Sequence, residues 1–152
     1  MKKLIDTHSH IYYDKYNDDL DEVINRSLDK GVDKIICVGV DIESSIQSLE
    51  IANKYNNVFS TVGYHPHESQ KATKGYLKDL ETMCKEPKVV AIGETGLDYY
   101  YNHSSPEIQK KRFIEQIELA NSLKLPIIIH NRESDDDLYK ILEKYTPKGV
   151  IH

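Results

Sequence analysis

At 152 residues the chain is long enough for one domain with a sizeable core. Thirty per cent charged residues and a mean hydropathy of −0.58 read as a soluble protein, and no apolar stretch approaches the about 20 residues of a membrane span or forms a signal-peptide core. A net charge of −5 argues against broad nucleic-acid binding by a basic face, while leaving room for an enzyme that holds one phosphodiester through metal and a few local cations.

Apolar, β-branched runs at residues 4–7, 34–40, 58–62, 89–92, 127–129 and 150–151 read as strands. Helical patterns fill the gaps at 19–30, 44–55, 74–85, 106–123 and 134–144. Asp41 to Ser45 looks like a helix start, and Ser105-Pro106-Glu107 opens the longest helix, with Phe113, Ile117, Ala120 and Leu123 as its apolar stripe. Gly31, Pro87, Pro126 and Gly149 mark returns to the next strand. Strict β/α alternation, with strands too apolar to be wet on either face, predicts a parallel sheet covered by helices, either an open doubly wound sheet or a (β/α)8 barrel. No Gly-x-Gly-x-x-Gly follows the first strand, which disfavours a dinucleotide site. Cys37, on a strand, and Cys84, on a helix, are too few for a disulfide framework and read as reduced thiols of a cytoplasmic protein.

The strand ends carry the chemistry. His8 and His10 close the first strand, two residues apart and so on one face. The third strand runs into Gly63-Tyr64-His65-Pro66-His67, the fourth into Gly93-Glu94, the fifth into His130-Asn131-Arg132, and the sixth into His152. In a parallel fold all these ends meet at one rim, where such folds build active sites. Imidazole and carboxylate without thiolate suit Zn, Mn, Fe, Ni or Mg. The donors outnumber what one tetrahedral ion needs, so the natural reading is a two-metal centre bridged by Glu94, which we take as the catalytic carboxylate. Such a pair activates water and stabilises the leaving oxygen of a phosphodiester.

Five stretches together resemble the TatD family of metal-dependent deoxyribonucleases, within the amidohydrolase-like barrel superfamily. They are residues 5–10, 63–67, 92–100, 126–133 and 149–152, in family order across essentially the whole chain. The resemblance implies a (β/α)8 TIM-barrel fold. It implies that His8, His10 and Glu94 hold one divalent ion and Glu94, His130 and His152 another. It further implies Mg²⁺- or Mn²⁺-dependent, 3′-to-5′ removal of nucleotides from DNA, with single strands preferred. The family's further Asp ligand and candidate general base, at its last strand, has no counterpart in this sequence. Residues 1–152 are therefore expected to be one partial barrel domain of about five and a half β/α units, with its C-terminal portion absent.

Other candidates divide between chemistry and structure. His67 is expected at the substrate phosphate, and His65 either there or packed on Tyr64 as a loop cap. Arg132 is expected to fork onto a phosphate oxygen, or to pair with Glu133 or the Asp135–Asp137 run. That acidic run reads as a helix N-terminus rather than a ligand set. Asp6 either orients an imidazole or takes a loop hydrogen bond. Tyr99, nearest Glu94 of three consecutive tyrosines, is chosen as a stacking face for a base, and His103 is expected in solvent without a partner. Two other readings stand beside the nuclease: a metal-dependent hydrolase of amides, lactones or esters, and an inert fragment or half-protein completed by a second chain.

Overall fold

In the computed structural model, which describes residues 3–101 and 103–152, the alternation folds as six parallel strands in sequence order. They are β1 (Leu4–Ser9), β2 (Val32–Val38), β3 (Val58–Val62), β4 (Val89–Asp98), β5 (Ile127–Arg132) and β6 (Gly149–Ile151). Between them run α1 (Leu20–Asp29), α2 (Ile42–Lys54), α3 (Tyr76–Met83), α4 (Pro106–Leu123) and α5 (Asp135–Tyr145). Short 3₁₀ turns at Asp14–Tyr16 and Pro66–Lys71 follow β1 and β3. Among the described residues, no helix is long and apolar enough to cross a membrane.

The sheet is curled, and two side chains prove it. Five interstrand steps would set β1 and β6 about 24 Å apart in a flat sheet. Yet the rings of His8, on β1, and His152, just past β6, have centroids 4.2 Å apart. Six strands thus wrap into a half-barrel of the (β/α)8 type, and the open doubly wound alternative is excluded. Ile92, Ile127 and Ile129 face outward onto Phe113 and Ile117 of α4 and Leu138 of α5. Strand alternation turns Ala91 and Ile128 to the concave side, where they cluster with Val38.

The outer strands depart from expectation. Leu4 and Ile5 of β1 are each 55% exposed, and Val150 and Ile151 of β6 are 54% and 44% exposed. Their apolar character suits burial, but among the described residues nothing pairs with either edge.

Boundaries also shift where local signals mislead. The β4 strand continues to Asp98, six residues beyond the expected end, because after an irregularity it pairs again with β5 from Thr95↔Ile129 to Asp98↔Arg132. A glycine is what this pairing needs. Gly96 has φ +144°, and a Cβ there would lie 2.1 Å from the His130 carbonyl oxygen. The α2 helix starts at Ile42 because Asp41 caps it: Asp41 accepts from the Ser44 N–H at 2.8 Å, and Ser44 Oγ accepts from the Asp41 N–H at 3.0 Å.

Candidate metal centre

Five of the six strands, all but β2, deliver a donor side chain to the concave rim. Glu94 lies within β4, only 4% exposed, with its backbone N–H donating to Gly39 at 2.9 Å. Three imidazoles close on its carboxylate. His8 Nε2 is 3.1 Å from Oε2, His130 Nδ1 is 3.0 Å from Oε1, and His152 Nε2 is 2.6 Å from Oε1. A fourth, His65 Nε2, stands 3.6 Å from Oε1. His10 is oriented from behind: its Nδ1 donates to the Val38 carbonyl at 2.9 Å, which leaves Nε2 with a lone pair.

Asp98 is a second buried carboxylate, 1% exposed. Its Oδ2 accepts from His67 Nε2 at 2.8 Å and His130 Nε2 at 3.0 Å, so His130 links the two acids. Its Oδ1 accepts from the N–H groups of Tyr100 and Tyr101, each at 3.0 Å.

Electrostatics set these groups up as ligands. Burial opposes ionisation of Glu94, but His130, His8, His65 and His152 outweigh it and hold the carboxyl well below the usual range. Burial likewise opposes Asp98, while the Tyr101 N–H, His67 and His130 bring it down to about 2. Burial pushes His65 down to about 3, and burial with the His8 charge lowers His10. His130 alone goes up: burial would lower it, but Glu94 and Asp98 more than compensate.

The donor set fits divalent ions. Two groups, His8–His10–Glu94 and His65–Glu94–His130, each have ligand atoms within 4.8 Å of one another. Donors about 2.1 Å from one ion lie at most about 4.2 Å apart, so either group closes on a cation by small movements. Glu94 belongs to both groups.

All five residues expected as ligands, His8, His10, Glu94, His130 and His152, are therefore brought together. Two residues of the cluster were not among the expected ligands. His65 joins the second group, besides capping the following turn by accepting from the His67 N–H at 3.2 Å. Asp98 lies four residues beyond Glu94 on the same extended strand. That even spacing was the available signal, since it puts both on one face.

The expected substrate residues scatter more. His67 reaches Asp98. The Tyr99 hydroxyl is spent on Asp137 at 2.8 Å, and its ring packs on the α4 core. Arg132 pairs with neither Glu133 nor the acidic run among the described residues. Its guanidinium instead covers the Tyr100 and Tyr101 rings. Asp6 accepts from the His8 backbone N–H at 3.1 Å, the loop alternative. Asp135, Asp136 and Asp137 fill the first turn of α5. His103 is exposed, but not partnerless: its ring lies 4.7 Å from His67 and runs parallel to Tyr101.

Two fully buried glutamines on α4 brace the rim from outside. Gln109 accepts from the Asp98 N–H at 2.8 Å and donates to the carbonyls of Asp98 and Ser104, at 2.9 and 2.8 Å. Gln116, two turns on, accepts from the Tyr64 N–H at 2.7 Å and donates to its carbonyl at 3.1 Å. Each side-chain amide acts as one more strand residue would.

Similarity to known proteins covers the same ground. The family described as TatD related DNase matches residues 5–152. The uncharacterized metal-dependent hydrolase YabD of Bacillus subtilis is 39% identical over 152 residues, 98% of this chain and 60% of its own length. The 3′-5′ ssDNA/RNA exonuclease TatD of Escherichia coli is 33% identical over 137 residues, 88% of this chain and 53% of its own. The crystal structure of YjjV, a TatD homolog from E. coli, superposes with a TM-score of 0.91 at 31% identity, over 98% of this chain and 59% of that one. The chain thus spans between about half and six-tenths of these relatives.

Proposed function

The chain belongs to the TatD related DNase family, and on that premise we propose that its rim holds two divalent ions, Mg²⁺ or Mn²⁺, and hydrolyses DNA phosphodiesters. We place its action at 3′ ends of single strands, the polarity and strandedness named for the E. coli relative. One observation carries this reading: His8, His130 and His152 converge on the buried Glu94 carboxylate, which two candidate ligand groups share.

Glu94, with His8 and His10, would hold one ion, and Glu94 with His130 and His152, joined by His65, would hold the other. Such ions supply an activated water and neutralise charge on the phosphate. The protein's own part is to hold Glu94 ionised and the ligand imidazoles oriented. Val38 fixes the His10 tautomer, and Asp98 anchors His67 toward the incoming phosphate. Arg132, which pairs with no carboxylate among the described residues, would fork onto a phosphate oxygen. Further β/α units of the barrel, from a longer chain or a second chain, would lie against β1 and β6. The free thiols of Cys37 and Cys84 suit a cytoplasmic setting.

Calorimetric titration with Mn²⁺ is expected to give two ions per wild-type chain and a loss of binding in Glu94→Gln. In parallel, 3′-labelled single-stranded DNA should be degraded with Mg²⁺ or Mn²⁺ and spared with chelator. Hydrolysis of lactones or cyclic amides with the DNA left intact would overturn the assignment in favour of another hydrolase of this fold.

A further inference from the structure

The rim carries more ordered aromatic surface than a metal cluster needs. Tyr100 and Tyr101, in the segment after β4, are 51% and 48% exposed, and His103 is exposed beside them. These side chains are nevertheless held. The Arg132 guanidinium sits 4.0 Å from the Tyr100 ring centroid and 4.6 Å from that of Tyr101. The His103 ring lies 14° from parallel to Tyr101, with centroids 5.8 Å apart. Both stand edge-on to His67, at 4.7 Å from His103 and 5.5 Å from Tyr101. The backbone is pinned as well, because Asp98 Oδ1 accepts from the N–H groups of Tyr100 and Tyr101 while Oδ2 takes His67 and His130. One carboxylate therefore fixes both the ligand imidazole and the height of the aromatic shelf.

Ordering side chains costs rotamer entropy, and here it does not bury the rings that are ordered. What it achieves is a set of preformed π-faces open to solvent next to the metal ligands. Arg132 is divided in a matching way. It packs against both tyrosine rings, which stand 88° to one another, yet among the described residues its guanidinium makes no hydrogen bond or ion pair, although Glu133 and Asp135 are close in sequence. The N–H edge is left for an anion. A π-face beside an unspent guanidinium edge matches a nucleotide, with its planar base and its phosphate.

We propose that Tyr100, Tyr101, His103 and Arg132 form a subsite for one nucleotide beside the metal centre. An aromatic ring stacks its base, and Arg132, packed against the two tyrosines, meets the adjoining phosphate. The inference rests on the phosphodiester reading above and deepens it. Such a shelf accepts any base, because every base offers a π-face. It also selects unpaired ends, because a base inside a duplex has both faces already stacked.

Fluorescence anisotropy on the 152-residue chain with Mg²⁺ tests this. The probes are a short labelled single strand with phosphorothioate linkages, which resist cleavage, and the same strand with an abasic unit at its 3′-terminal or penultimate position. We expect loss of the base at one of these positions to weaken wild-type binding about 5- to 150-fold, the worth of one base–aromatic stack. Tyr101→Ala should abolish that penalty and Tyr101→Phe should retain it. His103→Ala, at the exposed end of the shelf, should reduce it. Tyr139→Ala, 58% exposed on α5, should leave it unchanged. A strand that binds with no penalty in the wild type, or a penalty that survives Tyr101→Ala, overturns the subsite and leaves the phosphodiester reading standing. Failure of every strand to bind overturns both.

Discussion

The two rims of the half-barrel both bury polar groups, for opposite ends. At the amino rim, Lys88 just before β4 donates to the carbonyls of Tyr55, Asn56 and Val58, each at 3.0 Å, and covers the Phe59 ring at 4.9 Å. All three ammonium donors meet backbone acceptors, so the group is closed and ties the α2–β3 turn to β4. At the carboxyl rim, four imidazoles crowd one carboxylate, the cluster proposed to take a ligand. Satisfied polar groups mark stability, and clustered like donors mark function.

The largest break in that comparison should come from Glu94→Gln. Removing the shared charge is expected to lower Mn²⁺ affinity by more than about 100-fold, beyond the usual effect of groups that only support ligands. The same ion gives a second readout. Mn²⁺ at a hundred times its Kd should stabilise the wild type by about 2.7 kcal/mol against unfolding, seen as a rise in Tm that Glu94→Gln lacks. A Tm rise of equal size in the variant would mean that the ions bind elsewhere.

Lys88→Met should do the reverse. Three carbonyls lose a charged donor, and hydrogen bonds to charged groups are worth about 1.5–3 kcal/mol each before solvent repair. Partial exposure of the site admits water, so a net loss of about 2–3 kcal/mol is expected. For a chain of this size that is a fall of roughly 5–10 °C in Tm, with Mn²⁺ affinity unchanged. A Lys88→Met protein that loses metal affinity along with stability would dissolve the division between rims.

Gln109→Met probes the connection between them. The substitution removes partners from the Asp98 N–H, the Asp98 carbonyl and the Ser104 carbonyl, all buried, at an expected cost of about 1–3 kcal/mol for each group left unpaired. Because Asp98 holds His67 and His130, this variant alone should lower both Tm and Mn²⁺ affinity, the latter about 10-fold.

The sequence and the structure part company for a physical reason that these glutamines illustrate. Helix α4 was recognisable from Phe113, Ile117, Ala120 and Leu123, and Gln109 and Gln116 fall on the same stripe. Their burial depends on backbone groups of β4 and the β3 loop, partners that no local pattern reveals. Histidines at strand ends were legible because a parallel sheet has only one rim for them. Asp98 was hidden because the apolar run stops at Ile92, whereas Gly93 and Gly96 let β5 approach and keep the strand going. His65 was legible as a loop cap, a role it keeps, but its second contact needs the curl of the sheet. Tyr99 illustrates the converse. It sits nearest Glu94 in sequence, yet its hydroxyl is committed to Asp137, while Tyr100 and Tyr101 take the exposed positions.

The smallest effect expected is also a test of which acids at the carboxyl rim matter. Asp136 is exposed in the first turn of α5, close in sequence to the proposed ligand His130, and resembles a ligand by type alone. Its position assigns it to the positive end of the helix dipole, worth about 0.3–1 kcal/mol at an exposed first turn. Asp136→Asn should therefore lower Tm by no more than a few degrees, and by less as salt is added, since exposed charges are screened. Mn²⁺ stoichiometry and affinity should stay at wild-type values. If the loss were insensitive to salt and came with weaker Mn²⁺ binding, the acidic run would belong to the metal centre, and nearness to the rim rather than burial against imidazole would be the mark of a ligand.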